Sequence, residues 1–173
     1  MPNIIKLVDG VPRIVDDEWS LIRTENDLDA ASPKRIVSLP AFRDALGEGR
    51  HDAVRAVWIA PDDDFEPLML QLKTLKALET LEIIAVDFPT FRDGRGYSIA
   101  TLLRSRYAWK GELRAVGDVL RDQLNYLRRC GFDAFAVRAD KDIHDAILSF
   151  GHYSVTYQGA VDEPLPLFRR RHD

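Results

Sequence analysis

Short runs of aliphatic residues alternate with segments of helical spacing from residue 35 onward, and this alternation constrains the fold more than any other feature. The runs with the length and composition of buried strands cover residues 35–39, 54–59, 81–86, 112–116, 134–137 and 154–157. Strands separated by one helix each form right-handed βαβ crossovers. We therefore predict the α/β class, with a mostly parallel sheet of about five to six strands. The sequence does not distinguish between two arrangements of this sheet, an open sheet and an incomplete TIM-like barrel.

The segments between these runs predict helices. A short helix begins near Pro40, and further helices cover residues 65–75, 98–107, 118–130 and 140–150. Gly131 follows the fourth of these helices, at the position where a residue in the left-handed region commonly ends a helix.

An N-terminal β-hairpin is predicted ahead of the alternating part. Residues 4–8 and 11–15 flank Asp9-Gly10, which is a strong short-range hairpin signal. Residues 19–31 are acidic and polar, and we expect them to link the hairpin to the main body. The length suits one domain over residues 1–173, with residues 1–20 as a hairpin extension and residues 160–173 as an extended C-terminal tail.

The formal net charge is −4 at neutral pH. A general nucleic-acid binder needs a strong positive field, so we expect no nucleic-acid partner. A local basic patch stays open as an alternative, because Arg92, Arg95, Arg104 and Arg106 lie close together in sequence.

No apolar run approaches the roughly 20 residues of a membrane helix, and the first residues do not form a signal peptide. We expect a cytoplasmic protein with no membrane partner.

Cys130 is the single cysteine, so we expect no intrachain disulfide and a buried, inert thiol. We interpret the acidic residues 62–64 as helix caps, and no metal site is predicted.

The loop at residues 91–98 is the strongest candidate ligand site. Its two glycines permit positive φ, and the loop leads into the helix predicted to begin at Ser98. The first N–H groups of that helix, with Arg92 and Arg95, form a suitable cradle for phosphate, sulfite, sulfate or a carboxylate. The alternative is a surface turn in which Ser98 caps the helix and both arginines are solvated.

Two further residues carry open alternatives. Asp118 ends the fourth predicted strand and is either a general acid or base or the cap of the following helix. Arg114 shares a strand face with Glu112 and Val116, and is either part of a buried ion pair or a ligand-facing arginine.

Several sequence runs resemble a known bacterial family. They are residues 91–98, 111–124, 129–133, 157–158 and 164–171. The family is one of uncharacterised, probable oxidoreductases associated with sulfite reduction, whose genes commonly lie beside sulfite reductase. The resemblance spans essentially the whole chain and implies a role in assimilatory sulfur metabolism in a bacterial cytoplasm. Ala108-Trp109 departs from the family pattern in a connecting turn.

The resemblance also implies a set of positions that face a ligand. They are Arg92, Asp93, Arg95, Tyr97, Ser98, Arg114, Asp118, Asp122 and Gln123. No dinucleotide fingerprint accompanies them, because the Gly94-x-Gly96 pair lacks the third glycine, and the cofactor stays unknown.

Two functional hypotheses follow. The first is an accessory protein of assimilatory sulfite reduction that binds a small oxyanion or sulfite reductase itself. The alternative is an oxidoreductase or other enzyme at the rim of the α/β sheet, acting on an anionic substrate held by Arg92 and Arg95 with Asp118 as acid or base. Whether the chain is an enzyme is left open, as is its oligomeric state.

Overall fold

A computed structural model describes residues 3–24, 34–50, 54–74 and 78–172. Residues 25–31 of the predicted linker, Leu75 of the second predicted helix and Asp173 of the predicted tail lie outside this part of the chain. The described strands are β1 (Asn3–Val8), β2 (Val11–Asp16), β3 (Trp19–Leu21), β4 (Lys34–Ser38), β5 (Ala56–Ile59), β6 (Ile83–Phe88), β7 (Glu112–Gly117) and β8 (Ala134–Phe135).

Helices follow most of the parallel strands. The α-helices are α1 (Leu39–Gly47), α2 (Glu66–Thr74), α3 (Arg95–Ser105), α4 (Leu124–Arg129) and α5 (Ile143–Ile147). Short 3₁₀ turns cover Leu78–Thr80, Arg121–Gln123, Leu148–Gly151 and Leu167–His172. Within the described residues, we find no helix with the length and apolar character that crossing a bilayer requires.

The strands form one mixed sheet of eight, in the order β2-β1-β8-β7-β6-β5-β4-β3. Neighbours from β3 to β8 are parallel, whereas β1 runs antiparallel to both β2 and β8. The predicted N-terminal hairpin is confirmed, and Asp9 and Gly10 both have positive φ in its turn. The predicted mostly parallel sheet of five to six strands was wrong, because the hairpin pairs antiparallel with β8 and so makes the sheet mixed and longer, instead of standing apart from it. β3 adds a further strand at the other edge.

The sheet is open but strongly curled. One face packs against all five helices in the larger hydrophobic core, which includes Leu113 and Ala115 of β7. On the other face, side chains from distant strands, among them Ile4, Trp19 and Val116, form a second cluster without helices. We call this helix-free side the concave face. Arg114 of β7 lies on this face and donates to Asp17, which connects the two edge strands, so the sheet bends toward itself.

The curl also follows from the chain path at Asp17 and Glu18. These two residues alone connect β2 to β3, yet the two strands occupy opposite edges of the sheet. The chain therefore passes from one edge to the other within two residues. A flat sheet of eight strands, about 4.8 Å apart, could not be bridged by so short a connection.

The C-terminal region differs from the sequence prediction. No strand forms at residues 154–157, and the tail is not extended over residues 167–172, where a 3₁₀ turn lies. The tail folds back, because Leu167 N donates to Tyr157 O at 2.8 Å and Arg170 Nη2 donates to Thr156 O at 2.8 Å. These bonds satisfy backbone groups that a sheet would otherwise pair.

Candidate functional site

The carboxyl ends of neighbouring strands bring polar side chains together, as parallel strands require. Asp62 follows β5, the loop at residues 89–94 follows β6, Asp118 follows β7 and Arg138 follows β8. Asp62 forms an ion pair with Arg95 at the end of that loop, and Asp118 Oδ1 accepts a hydrogen bond from Arg138 Nη1 at 2.7 Å. We call this edge, with the loop and these four side chains, the rim.

The loop after β6 is anchored from beneath by two side chains. Asp118 Oδ2 accepts a hydrogen bond from Phe91 N at 2.8 Å. The buried Gln123 amide donates from Nε2 to Phe91 O at 3.1 Å and to the Tyr97 hydroxyl at 3.3 Å. Its Oε1 accepts from Leu120 N at 2.8 Å. The loop therefore has a fixed backbone path, set by residues about thirty positions later in the chain.

Tyr97 joins this anchor to the hydrophobic core. Its ring lies 5.3 Å from the Phe88 ring and 5.1 Å from the Tyr126 ring, measured between centroids. Burial raises the pKa of the Tyr97 hydroxyl above its ordinary value, although the hydrogen bond from Gln123 opposes the shift. Tyr97 therefore stays protonated near neutral pH and supports the loop from the side of the core.

Helix α3 begins at Arg95, three residues earlier than predicted, with Gly94 as its N-cap. Ser98 consequently lies exposed within the first turn and does not cap the helix. The argument from positive φ was wrong, because Gly94 has a φ of −83° and Gly96 is helical. Gly96 is needed for another reason: a Cβ there would lie 2.5 Å from Cζ of Phe88.

The charge of Arg95 is shared between two carboxylates. Asp93 accepts from Arg95 Nε at 3.0 Å and from Arg95 Nη2 at 2.7 Å, while Arg95 Nη1 pairs with Asp62. These bonds hold the pKa of Asp93 below its usual range. Arg92 is exposed, and its guanidinium lies 5.4 Å from the centroid of the neighbouring Phe91 ring. The loop thus presents two exposed arginines, of which Arg95 is held by carboxylates.

Arg92, Arg95, Arg104 and Arg106 do not form the basic surface patch that was the alternative prediction. Arg104 points inward and donates to the carbonyl oxygens of Trp109, Gly111 and Gly131 at 2.7–2.9 Å. Its Nη2 also pairs with Asp133 at 2.8 Å. Arginine spacing along the sequence could not reveal this, because the acceptors are loop carbonyl groups.

Asp118 connects two parts of the rim. Its side chain is largely buried, and its two oxygen atoms bond Phe91 N and Arg138 Nη1. It does not cap a helix, because the next helical turn begins at Arg121. The geometry makes Asp118 a positioning group for the loop, and the acid–base role stays a prediction.

Arg114 lies apart from the rim, in the middle of the concave face. It is fully buried and donates from Nε to Glu112 at 2.7 Å and from Nη1 to both oxygens of Asp17 at 2.9–3.0 Å. Lys6 pairs with the other oxygen of Glu112 at 2.6 Å. These contacts are those of the buried ion pair, one of the two alternatives predicted for Arg114.

Sequence reasoning missed a second charged pair, at the C-terminal end of β6. Asp87 is buried and pairs with Arg23, whose guanidinium lies 5.4 Å from the centroid of the Trp58 ring. Trp58 Nε1 donates to Ile22 O at 2.9 Å. The segment after β3 is thereby fixed across the ends of β5 and β6. A buried aspartate at a strand end, in need of a cation, was the available signal.

The remaining positions singled out in the sequence, Asp122, Cys130 and the acidic residues 63–64, take no part in anchoring the loop. Asp122 is exposed and lies in the Arg121–Gln123 turn, beside but not within the loop anchor. Cys130 is buried as predicted, and burial raises the pKa of its thiol. Asp63 Oδ2 accepts from Ala60 N at 2.7 Å. Among the residues that the structure describes, no group of three or more acidic, histidine or cysteine side chains is placed to hold a metal ion.

The family comparison covers the rim. A model for the family described as "Bacterial protein of unknown function (DUF934)" matches residues 56–168, which is more than half of the chain. Neither a curated protein nor a solved structure matches the chain significantly. The matched region contains the loop, both of its anchors and the buried Arg114, and it begins after β1 to β4.

Proposed function

We propose that this chain, which belongs to the DUF934 family of bacterial proteins of unknown function, is an accessory protein of assimilatory sulfite reduction that binds a small oxyanion at the rim. The sulfur setting rests on the resemblance carried by residues 91–98 and 111–124. The observation that carries the ligand class is the exposure of Arg92 and Arg95 on a loop held rigidly by Asp118 and Gln123. A fixed loop loses little entropy when a ligand binds.

Arg95 offers an oxyanion one specific position. Asp93 holds Nε and Nη2, and this hydrogen bonding fixes the orientation of the guanidinium. Asp62 holds Nη1, but the Asp62 side chain is 86 % exposed. Exposed ion pairs contribute little stability, so a sulfite, sulfate or phosphate oxygen can replace Asp62 on Nη1. Arg92 supplies the second positive charge.

The affinity of two variants tests this arrangement. Removal of the competing carboxylate in Asp62→Asn should strengthen anion binding, whereas Arg95→Ala should abolish it. Arg106→Ala is the matched control, because Arg106 is an exposed arginine just beyond the other end of α3 and pairs with Glu66. At about 100 times the dissociation constant, the ligand should raise the melting temperature by about 5–10 °C.

The measurement is a thermal melt against sulfite, sulfate and phosphate, followed by calorimetric titration of the anion that binds. Equal stabilisation of the wild type and Arg95→Ala would place binding elsewhere. No stabilisation by any of the three anions would rule out the oxyanion site.

Sulfite reductase itself is the second ligand that we propose for the same loop. Phe91 is 46 % exposed and stacks beside Arg92, and an exposed aromatic next to an arginine is typical of protein interfaces. Purified sulfite reductase should bind the wild type and lose binding to Phe91→Ala. Leu70→Ala, at an exposed leucine on α2, should bind normally. Equal binding of both variants would contradict a role for the loop.

A further inference from the structure

The C-terminal segment exposes a concentration of large hydrophobic side chains. Those more than half exposed within residues 153–168 are Tyr153, Val155, Tyr157, Leu165 and Phe168. The segment folds back through backbone hydrogen bonds, among them that from Leu167 N to Tyr157 O at 2.8 Å, which leaves these side chains on the surface. Single exposed hydrophobic residues are common on proteins, whereas a concentration of them marks an interaction site.

Two aromatic rings and two arginines lie together on this segment. The Tyr157 and Phe168 rings are 6.2 Å apart between centroids, and the Arg169 guanidinium lies 5.8 Å from the centroid of the Phe168 ring. Arg129 reaches the same surface from α4, because its Nη2 donates to the carbonyl oxygen of Gln158. We call Tyr157, Phe168, Arg129 and Arg169 the C-terminal patch.

Neither arginine of the C-terminal patch forms an ion pair with a carboxylate among the residues that the structure describes. The acidic residues of the same segment are placed elsewhere. Glu163 pairs with Arg170. Asp162 lines a separate depression beside the β1–β2 turn. The patch therefore carries two positive charges that the described chain does not neutralise.

Arg106 provides a direct contrast on another surface of the protein. Its guanidinium also lies over an aromatic ring, 5.9 Å from the centroid of Tyr107, but it pairs with Glu66 at 2.9 Å. Arg169 has the same stacking contact without the carboxylate. The C-terminal patch is thus complementary to a surface that supplies carboxylates and an apolar group.

We propose that the C-terminal patch binds an acidic, partly apolar segment of another protein. Carboxylates of that segment complete the two guanidinium groups through charge-assisted hydrogen bonds, and an apolar side chain packs on the two rings. Arginine and aromatic residues are the side chains that contribute most at such interfaces. The patch is separate from the rim loop, so the inference does not depend on the proposed oxyanion site.

Two other classes of partner fit the C-terminal patch less well. A nucleic acid is bound through many phosphate contacts, and the formal net charge of this chain is −4. An anionic membrane surface is recognised by larger clusters of basic residues than the two arginines of the patch. A few carboxylates on a protein segment match two arginines more closely.

A phage-displayed library of random twelve-residue peptides tests the chemistry of the partner. Peptides retained by the wild type, after removal of those that also bind the double variant Phe168→Ala with Arg169→Ala, should be enriched in aspartate and glutamate next to an apolar residue. Both altered side chains are exposed, so the double variant should melt close to the wild type. Recovery of no peptides, or of peptides without acidic enrichment, would overturn the inference.

The most enriched peptide, labelled with fluorescein, then measures the affinity of single variants by anisotropy. Phe168→Ala and Arg169→Ala should each weaken binding at least about fivefold. Arg106→Ala is the matched control and should bind like the wild type, because Glu66 already neutralises Arg106. Arg169→Glu should lose the acidic peptide and bind better to a version with lysine at its acidic positions. Equal binding by Arg169→Ala and the wild type, or binding of polyuridine or phosphatidylglycerol vesicles in place of the peptide, would contradict the proposal.

Discussion

The guanidinium of Arg114 and the carboxylate of Asp17 lie 2.9 Å apart, with both side chains withdrawn from solvent. Asp17 belongs to the two-residue connection between the opposite edge strands, and Arg114 lies on β7 in the middle of the sheet. The pair therefore ties the crossing of the chain to the concave face. Such a contact both satisfies a buried charge and holds the curl of the sheet.

Loss of one partner of this pair should be costly. Asp17→Ala leaves the Arg114 charge buried with Glu112 as its remaining acidic partner, and we expect the free energy of unfolding to fall by about 3–5 kcal/mol. The double variant Asp17→Leu with Arg114→Leu should lose less than Asp17→Ala, because no unpaired charge remains. Urea denaturation measures both. A loss below about 1 kcal/mol in Asp17→Ala would show that the pair is dispensable.

Two arginines of the α3 region, two positions apart, should differ sharply. Arg104→Ala removes donors to three loop carbonyl groups and to Asp133, so we expect a loss of about 3–5 kcal/mol. Arg106→Ala removes an exposed pair with Glu66 and should cost less than about 1 kcal/mol. Chemical denaturation of the two variants checks the contrast. Similar losses would contradict an anchoring role for Arg104.

The two glycines at the start of α3, Gly94 at the N-cap and Gly96 in the first turn, should also differ. Gly96→Ala places a Cβ against the buried Phe88 ring, and overpacking of this kind costs about 1–3 kcal/mol. Gly94→Ala meets no atom within 4 Å, so a change within about 0.5 kcal/mol is expected. Thermal unfolding distinguishes them. Partial recovery of Gly96→Ala by Phe88→Leu would confirm the contact, and equal melting of both single variants would argue against it.

Acid should remove the contribution of Asp93. Its pKa is lowered in the folded protein by hydrogen bonds from Arg95, so the folded chain releases this proton more readily than the unfolded chain. The resulting stability is present above the unfolded pKa of about 3.9 and disappears as the pH falls through the folded value. We expect Asp93→Asn to melt below the wild type near neutral pH and to converge with it at low pH.

Thermal melts of both proteins across this pH range provide the test. Asp44→Asn, at an exposed carboxylate on α1, serves as the control for a general loss of negative charge. A difference between Asp93→Asn and the wild type that stays constant down to low pH would contradict the role of Arg95 in lowering the pKa.

Local sequence patterns predicted the parts of this fold that depend on local physics. The hairpin at Asp9-Gly10 and the alternation of Leu113 and Ala115 with Arg114 follow from turn geometry and from the two-residue period of a strand. β3 was missed because three residues are too few to show a period. Residues 154–157 have a strand-like composition, but their backbone bonds the returning tail instead.

The sequence predicted where in the fold the candidate site lies, but not which side chains contact each other there. The direction of parallel strands puts Asp62, Asp118 and Arg138 on one rim whatever the closure of the sheet. The partners of the charged groups depend on separations such as the 97 residues between Asp17 and Arg114, which no local pattern encodes. The role of Gly96 was likewise hidden, because it follows from the packing of Phe88.

Both edge strands of the described sheet, β2 and β3, come from the first 21 residues of the chain. β1 pairs with the outer side of β8, and β3 pairs with the outer side of β4. A chain shortened by this segment would have β8 and β4 as its edge strands in place of β2 and β3, and the exposed edges of a sheet are where further strands can pair. The N-terminal segment thus determines which strands form both edges of the sheet, although it lies outside the region that matches the family.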